Sequence, residues 1–350
     1  MALKTTCIGA YPKPDYLPIS DWFQVAHNSD DYDKKVTQGW SREKVDKQRD
    51  LFDRATGEAI ADQIACGIDI PTDGEQRREN YVHYQCRHFT GFDFQHLTER
   101  EMRNGAYVTG LPTIRARITA GDKDTLVHDW QMAQGVSDRP VKITLPGPMT
   151  IADTTADAFY NDDAALARDL ADALNVQVRA LADAGCRFIQ VDEPIFARKP
   201  DAALAYGTET LERCFHGIPD QVTRVVHMCC GYPNHLDDDD YPKADQAAYM
   251  QIAEAVDGIT DQISIEDAHR HNPVDLFERF QTSALIVGFV TVASSRVEPV
   301  EEIRARMLEV LNHLPAERVL AAPDCGLGFL GRDLAMKKLK NLCEAAQSVG

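Results

Sequence analysis

The chain has 350 residues, a formal net charge of −18 and nine cysteines, and 44% of its residues are hydrophobic. This acidic balance excludes binding that depends on clustered Lys and Arg, so we expect neither nucleic acid nor an anionic membrane surface as a partner. No run of about eighteen apolar residues and no N-terminal signal pattern occurs, which predicts a cytoplasmic protein with reduced cysteines. The length suits a single domain over residues 1–350.

Eight short apolar segments alternate along the chain with longer helical patterns. The predicted strands are, in order, Thr5–Tyr11, Ile68–Asp73, Val141–Leu145, Phe188–Asp192, Arg224–Cys229, Gln262–Glu266, Leu285–Val292 and Arg318–Ala322. A typical intervening helix carries the apolar series Leu166, Leu170, Leu174, Val178 and Leu181. This alternation predicts an α/β protein with a single (β/α)8 TIM barrel. A doubly wound open sheet is the alternative, but no Gly-x-Gly-x-x-Gly follows the first strand.

The stretch between the second and third predicted barrel strands is too long for a simple connection. It contains a further predicted strand, Thr113–Ile118. We interpret about residues 86–140 as an insertion that forms a hairpin over the barrel mouth.

Polar residues follow the predicted strands, where the active site of such a barrel lies. Four of them are ligand types that suit tetrahedral zinc, namely His227, Cys229, Glu266 and Cys325. His227 and Cys229 are two residues apart, so a strand directs both side chains to one face. Thiolates select zinc over magnesium or calcium. The alternative is that each residue only fills space, as we expect for the neighbouring Cys230.

Two acids, Glu75 and Asp192, end the second and fourth predicted strands. Paired carboxylates there could act as acid and base, or could hold an ammonium group of a ligand. The alternative is a structural ion pair with Arg77 or Arg187. Residues 269–271, with the sequence His-Arg-His, are interpreted as a solvated loop.

These residues lie in motifs that resemble the cobalamin-independent methionine synthases, specifically their C-terminal catalytic barrel. The resemblance spans the chain and includes Asp73-Gly74-Glu75, Ile189-Gln190-Val191-Asp192-Glu193-Pro194, His227-Met228-Cys229 and Pro323-Asp324-Cys325-Gly326-Leu327. It implies methyl transfer to homocysteine, with zinc held at the catalytic residues His227, Cys229, Glu266 and Cys325. It also implies that the substrate ammonium binds Glu75 and Asp192, and that the substrate carboxylate binds the backbone of Ile8, Gly9 and Ala10.

The positions that meet the folate donor in this family differ here. The stacking Trp corresponds to Thr154, an acidic residue to Arg198, and the His thought to protonate the leaving nitrogen to Ala293. The family's N-terminal barrel has no counterpart in these 350 residues. Because an amine leaves poorly without a proton, we expect a donor other than free methylfolate. A methylated corrinoid, which a separate protein could carry, is the main alternative.

Several other interpretations stay open at this point. Within the predicted insertion, Tyr107, Trp130 or His128 could supply stacking and proton delivery. The enzyme could act on another small thiol, or could be a decarboxylase related to the uroporphyrinogen family, although such a site needs several Arg residues and no zinc ligands. The chain could also be a non-catalytic accessory protein that binds zinc or homocysteine.

Overall fold

The computed structural model describes residues 2–17, 19, 42–102, 107–233, 235–238 and 241–349. Within these ranges the strands are β1 (Lys4–Thr5), β2 (Phe89–Met102), β3 (Tyr107–Ala120), β4 (Lys142–Pro146), β5 (Ala156–Asp157), β6 (Phe188–Asp192), β7 (Thr223–Met228), β8 (Gln262–Ile265), β9 (Ala284–Val290) and β10 (Val319–Pro323). The principal helices are α1 (Arg42–Cys66), α2 (Tyr81–Cys86), α3 (Thr125–Gly135), α4 (Pro148–Asp153), α5 (Asp163–Asp183), α6 (Pro194–Arg198), α7 (Thr208–Cys214), α8 (Ala248–Val256), α9 (Val300–Leu311) and α10 (Arg332–Ser348). None of the helices in the described ranges combines the length and apolar composition that a membrane span requires.

Seven of these strands form one parallel sheet in the order β1, β10, β9, β8, β7, β6, β4. Helices lie between successive strands along the chain, so the predicted α/β class is confirmed. Parallel pairing brings the carboxyl ends of all seven strands to one edge of the sheet. At that edge the register sets Asp192 beside His227, and Met228 beside Ile265.

The prediction of a regular second strand is wrong. Within Ile68–Asp73 the structure contains only isolated parallel bridges, at Ile70 and Thr72. Pro71 between them has no N–H group to donate. The N–H of Thr72 donates to Oε1 of Gln63 at 2.9 Å instead of to a strand.

Apolar side chains cover both faces of the parallel sheet. On the outer face, α5 buries the predicted series Leu166, Leu170, Leu174, Val178 and Leu181, and it ends before Gly185, whose φ of 100° favours glycine. On the other face, one cluster joins Val225 of β7, Ile286 of β9, and Leu320 and Ala322 of β10 with Ile8 and Ile70, which lie outside the named strands. Such a cluster requires a curled sheet, because distant strands of a flat sheet could not share it.

A second sheet contains the long antiparallel pair β2 and β3, with β5 beside β3. The predicted strand Thr113–Ile118 lies within β3 and is confirmed. Arg117 of β3 forms an ion pair with Asp169 of α5 at 2.9 Å. Tyr160 accepts a hydrogen bond from the N–H of Ile118 and donates to the same Asp169, both at 2.7 Å. These contacts attach the pair to the helical layer outside the parallel sheet.

Candidate functional site

Four side chains that the sequence singled out as metal ligands meet at the carboxyl edge of the parallel sheet. His227 lies in β7, Cys229 follows it, Glu266 follows β8 and Cys325 follows β10. One ligand atom from each lies within 4.8 Å of the others. The Sγ of Cys325 is 3.5 Å from Nε2 of His227 and 3.6 Å from Sγ of Cys229. Residues up to 98 positions apart in the sequence therefore face one small volume.

The separations within this cluster agree with tetrahedral zinc coordination. Bonds of about 2.3 Å to sulfur and about 2.0 Å to nitrogen, at tetrahedral angles, put two sulfurs about 3.8 Å apart and a sulfur and a nitrogen about 3.5 Å apart. The sulfur–sulfur and sulfur–nitrogen distances here are 3.6 Å and 3.5 Å. Two thiols, an imidazole and a carboxyl also form a donor set that zinc prefers. The residues present therefore fit the metal.

The imidazole of His227 is oriented by Ser264, which was not among the predicted site residues. Nδ1 of His227 lies 2.9 Å from Oγ of Ser264, which leaves Nε2 directed at Cys325. Burial lowers the pKa of His227 to about 3, so the ring is neutral at neutral pH and keeps a lone pair for a metal. Ser264 lies directly beside His227 in the register of β7 and β8. Its position two residues before Glu266 was the available signal.

Glu266 has a hydrogen-bonding partner at each carboxyl oxygen. Oε1 accepts from the N–H of Cys230 at 3.1 Å, and Nδ1 of His269 lies 3.2 Å from Oε2. The His269 side chain is only 7% exposed, so the interpretation of residues 269–271 as a solvated loop is wrong for this residue. The reason is Asp324, which lies 2.9 Å from the His269 ring. The carboxylate of Asp324 also accepts hydrogen bonds from the backbone N–H groups of Asp267, Ala268 and His269.

The acidic groups of the cluster resist ionisation in one another's presence. Burial and the neighbouring thiol of Cys229 raise the pKa of Glu266 well above its ordinary value. A hydrogen bond with Cys325, together with burial, raises the pKa of Cys229 in the same way. A divalent cation reverses this balance because it favours the thiolate and carboxylate forms.

Glu75 lies in a tight turn that directs its carboxylate inward. Gly74 and Glu75 have φ values of 68° and 55°, and a left-handed backbone is uncommon for a residue with a side chain. The buried carboxylate accepts a hydrogen bond from Oγ1 of Thr144 at 2.8 Å. Nη1 of Arg78 lies 3.7 Å from the same oxygen. Burial raises the pKa of Glu75 although the Arg78 charge opposes that effect.

The ion pairs considered as the alternative for these acids do not form. Arg77 pairs instead with Asp53 and, at 3.4 Å, with Asp129. Among the described residues, no ion pair joins Arg187 to Glu75 or Asp192. Binding of a ligand ammonium and acid–base catalysis both remain as predicted roles for the two acids.

Asp192 is buried at the end of β6, next to the metal-ligand cluster. Burial, and then the charge of Glu75, raise the pKa of Asp192 to about 8. Oδ1 of Asp192 accepts a hydrogen bond from Nε2 of Gln190 at 2.7 Å. The charges of both acids also contribute, after burial, to the raised pKa of Tyr81. A ligand ammonium would relieve the repulsion between the two acids. Sequence spacing gave no signal for Tyr81.

The segment Ile8-Gly9-Ala10 is held by its carbonyl groups. The carbonyl oxygen of Ile8 accepts from Gln190, that of Gly9 from Thr72 and that of Ala10 from the N–H of Leu327, at 2.9, 2.7 and 2.7 Å. The N–H groups of these three residues donate to no other described residue. Consecutive unpaired N–H groups are suited to binding an anion.

The positions compared with a folate-binding site carry little for a ligand to contact. The Thr154 hydroxyl donates to the carbonyl of Thr150 at 2.7 Å. Arg198 is partly exposed and lies 3.7 Å from Asp153. Ala293 has neither an aromatic surface nor a titratable group.

Of the replacements proposed in the predicted insertion, neither of the two whose side chains the structure describes fills this gap. Trp130 is buried in the core, where its Nε1 donates to the carbonyl of Val141 at 3.2 Å. His128 is exposed on α3. The side chain of Tyr107 lies outside the described part of the structure.

Comparisons with known proteins identify the family of this chain. Residues 3–348 match the family model described as the catalytic domain of cobalamin-independent synthase. The methionine synthase of Saccharolobus solfataricus is 30% identical over 350 residues, with 99% of this chain and 95% of that protein covered. The methionine synthase of Sulfurisphaera tokodaii is also 30% identical, over 99% of this chain and 92% of that protein.

A solved structure is similar over the same extent. The B12-independent methionine synthase from Shewanella sp. W3-18-1, solved in complex with selenomethionine, matches with a TM-score of 0.84 and 27% identity. The match covers 100% of this chain and 98% of that one. The enzyme class and family expected from the sequence motifs are thereby confirmed. The chain belongs to the family of cobalamin-independent methionine synthase catalytic domains.

Proposed function

We propose that this chain is a zinc-dependent methyltransferase that converts homocysteine to methionine. The observation that carries the proposal is the cluster of His227, Cys229, Glu266 and Cys325, whose spacing fits tetrahedral zinc. Family membership supports homocysteine as the acceptor of the methyl group. The relatives named methionine synthase support methionine as the product.

The amino-acid head of homocysteine binds beside this cluster. Glu75 and Asp192 hold the ammonium group, whose charge offsets the repulsion between the two buried carboxylates. The N–H groups of Ile8, Gly9 and Ala10 hold the carboxylate. The selenomethionine complex of the Shewanella protein supports a site for the methionine head group in this fold.

Bound zinc lowers the pKa of a coordinating thiol, which makes a thiolate available at neutral pH. The protein's own residues then provide orientation. Ser264 keeps Nε2 of His227 directed at the cluster. Glu266 has hydrogen-bonding partners at both oxygens, so its carboxylate stays satisfied beside an incoming thiol. Glu75 and Asp192 fix the ammonium end, which confines the thiol end to the cluster.

The methyl donor in this proposal needs no proton on its leaving group. A methylated corrinoid carried by a separate protein meets that condition, whereas methylfolate must release an amine. Ala293 offers no proton, and Thr154 offers no stacking surface. Trp130 is already committed to the core.

We also propose a single domain in which the curled sheet closes into a (β/α)8 barrel. The bridges from Thr6 to Ile70 and from Thr72 to Lys142 support closure, because they connect both edges of the seven-stranded sheet to the segment 70–72. The pair β2 and β3 is then an insertion, within about residues 86–140, over the barrel mouth.

The test supplies zinc-loaded protein and homocysteine with one donor at a time and measures methionine. The donors are methyltetrahydrofolate, its polyglutamate form, methylcobalamin and S-methylmethionine. We expect methionine from methylcobalamin and none from the Cys229→Ser control. No methionine from any donor would contradict the proposed reaction. Rapid formation from methylfolate would contradict only the proposal about the donor.

A further inference from the structure

Gln190 joins the two groups that are proposed to hold the head of the amino-acid substrate. It is fully buried on β6, and its Nε2 donates to the carbonyl oxygen of Ile8 at 2.9 Å and to Oδ1 of Asp192 at 2.7 Å. A carbonyl oxygen can only accept, so the amide nitrogen must face Ile8. We infer that Gln190 is a positioning residue that selects thiols with a complete α-amino-acid head. This inference rests on the proposed function.

The hydrogen bond to Ile8 fixes one peptide plane. In a trans peptide the C=O of one residue and the N–H of the next point in opposite directions, so the N–H of Gly9 points away from Gln190. Thr72 holds the next plane, because its Oγ1 donates to the carbonyl of Gly9 at 2.7 Å. That contact turns the N–H of Ala10 away from Thr72. Both N–H groups are thus left available for a ligand carboxylate.

The hydrogen bond to Asp192 fixes the other half of the site. Gln190 occupies Oδ1, and no described residue donates to Oδ2, which remains for a ligand ammonium. A neutral donor at Oδ1 also stabilises the ionised form of a buried carboxylate. Because one amide nitrogen makes both contacts, the positions of the ammonium site and the carboxylate site depend on one side chain. A ligand with only one of the two charged groups gains nothing from that coupling.

The structure offers a matched control for this residue. Gln177 is also a buried glutamine, and its Nε2 donates to the carbonyl of Asp122 at 3.1 Å. It lies on α5, in the helical layer, and touches neither Ile8 nor Asp192. Gln177→Met therefore reports the general effect of removing a buried amide.

The experiment measures equilibrium binding by calorimetry on zinc-loaded wild type, Gln190→Met and Gln177→Met. The ligands are L-methionine, methylthiobutanoate without the ammonium, and methylthiopropylamine without the carboxylate. We expect Gln190→Met to bind L-methionine about tenfold more weakly, because the variant loses a hydrogen bond to a charged group. Each analogue uses only one of the two groups that Gln190 positions, so each should weaken less than L-methionine does. Gln177→Met should bind all three ligands as the wild type does.

Unchanged L-methionine affinity in Gln190→Met, at native zinc content, would overturn the inference. Equal weakening of all three ligands would also overturn it, because general loosening affects every ligand alike. If Gln190→Met fails to fold, Gln190→Glu is the second variant. It keeps the shape of the side chain but places an anionic oxygen next to the carbonyl of Ile8 and the carboxylate of Asp192. Normal methionine binding by Gln190→Glu would refute the positioning role of Gln190. Asp192→Asn separates the two proposals. If Asp192→Asn binds methionine normally, the proposed head-group site is wrong. If Asp192→Asn binds methionine weakly while Gln190→Met binds it normally, only the role of Gln190 is wrong.

Discussion

The acceptor side and the donor side of the proposed site are built differently. On the acceptor side, buried functional groups form hydrogen bonds with second residues, as His227 does with Ser264 and Asp192 does with Gln190. On the donor side, the Thr154 hydroxyl donates to the carbonyl of Thr150 in the preceding helix α4, and Arg198 is exposed and lies near Asp153. Preorganised groups act without reorganising when a ligand arrives. Under the proposed function, this chain would itself select the thiol substrate, whereas its described residues would contribute few groups to binding the donor.

The largest effect should follow from removing a thiolate on the acceptor side. Cys229→Ser or Cys325→Ser should reduce bound zinc from about one per chain to background, because a hydroxyl does not replace a thiolate ligand. Elemental analysis of the purified variants measures this. The fold should persist, as circular dichroism can check, because a chain of this size buries its core without a metal. Native zinc content in both variants would show that neither cysteine is a zinc ligand.

The donor side predicts that monoglutamyl methyltetrahydrofolate alone is a poor donor. Loss of a general acid typically slows a reaction by about a hundredfold to ten-thousandfold. Loss of an aromatic stacking surface weakens ring binding by about 1 to 3 kcal/mol. Steady-state methionine formation measures the rate. A rate above about 1 per second, within the ordinary enzyme range, would mean that the donor side is as complete as the acceptor side.

Neutralising one acid should weaken the acceptor substrate without releasing the metal. Asp192→Asn should bind homocysteine roughly thirtyfold more weakly, or about 2 kcal/mol, because the amide cannot form a charge-assisted contact with the ammonium. Calorimetry gives the affinity, and elemental analysis of the same sample gives the zinc content. Equal affinity in variant and wild type would assign Asp192 a structural role.

A smaller effect is expected from the residue that supports Glu266. His269→Ala removes the contacts at 3.2 Å to Glu266 and 2.9 Å to Asp324, and should lower zinc affinity by about tenfold. Competition with a chelator measures that affinity. His271→Ala is the matched control, because this neighbour is exposed. If both variants hold zinc as the wild type does, the preorganisation of Glu266 does not depend on His269.

The smallest effect concerns pH. The pKa of Asp192 is raised to about 8, chiefly by burial and next by Glu75, so below that pH the acid is mostly neutral in the free protein. Because an ammonium prefers the ionised form, the affinity of metal-free protein for L-methionine should rise about fivefold between about pH 7 and about pH 8. Asp192→Asn should flatten this profile. A wild-type affinity for L-methionine that falls as the pH rises over the same interval would contradict this role of Asp192 ionisation.

The cluster of possible metal ligands could be predicted from the sequence because the positions of its members follow from local rules. Parallel strands end at one edge, so ligand-type residues that follow several strands must approach one another. His227 and Cys229 needed only the two-residue period of a strand to share a face. The apolar series of α5 was equally readable, because a helix has a fixed period.

The supporting residues were decided by tertiary structure, because hydrogen-bond partners depend on register between distant segments. Gln190 and Ile8 are 182 positions apart, and His269 and Asp324 are 55 apart, so no local pattern connects them. The second strand failed for the same reason, since Thr72 found its partner in Gln63 on a helix. The sequence therefore predicted which chemical groups the proposed site contains, although Glu75 follows isolated bridges rather than the regular strand expected there. Only the packed chain decided which neighbour holds each group, because a hydrogen bond requires a donor and an acceptor within about 3 Å.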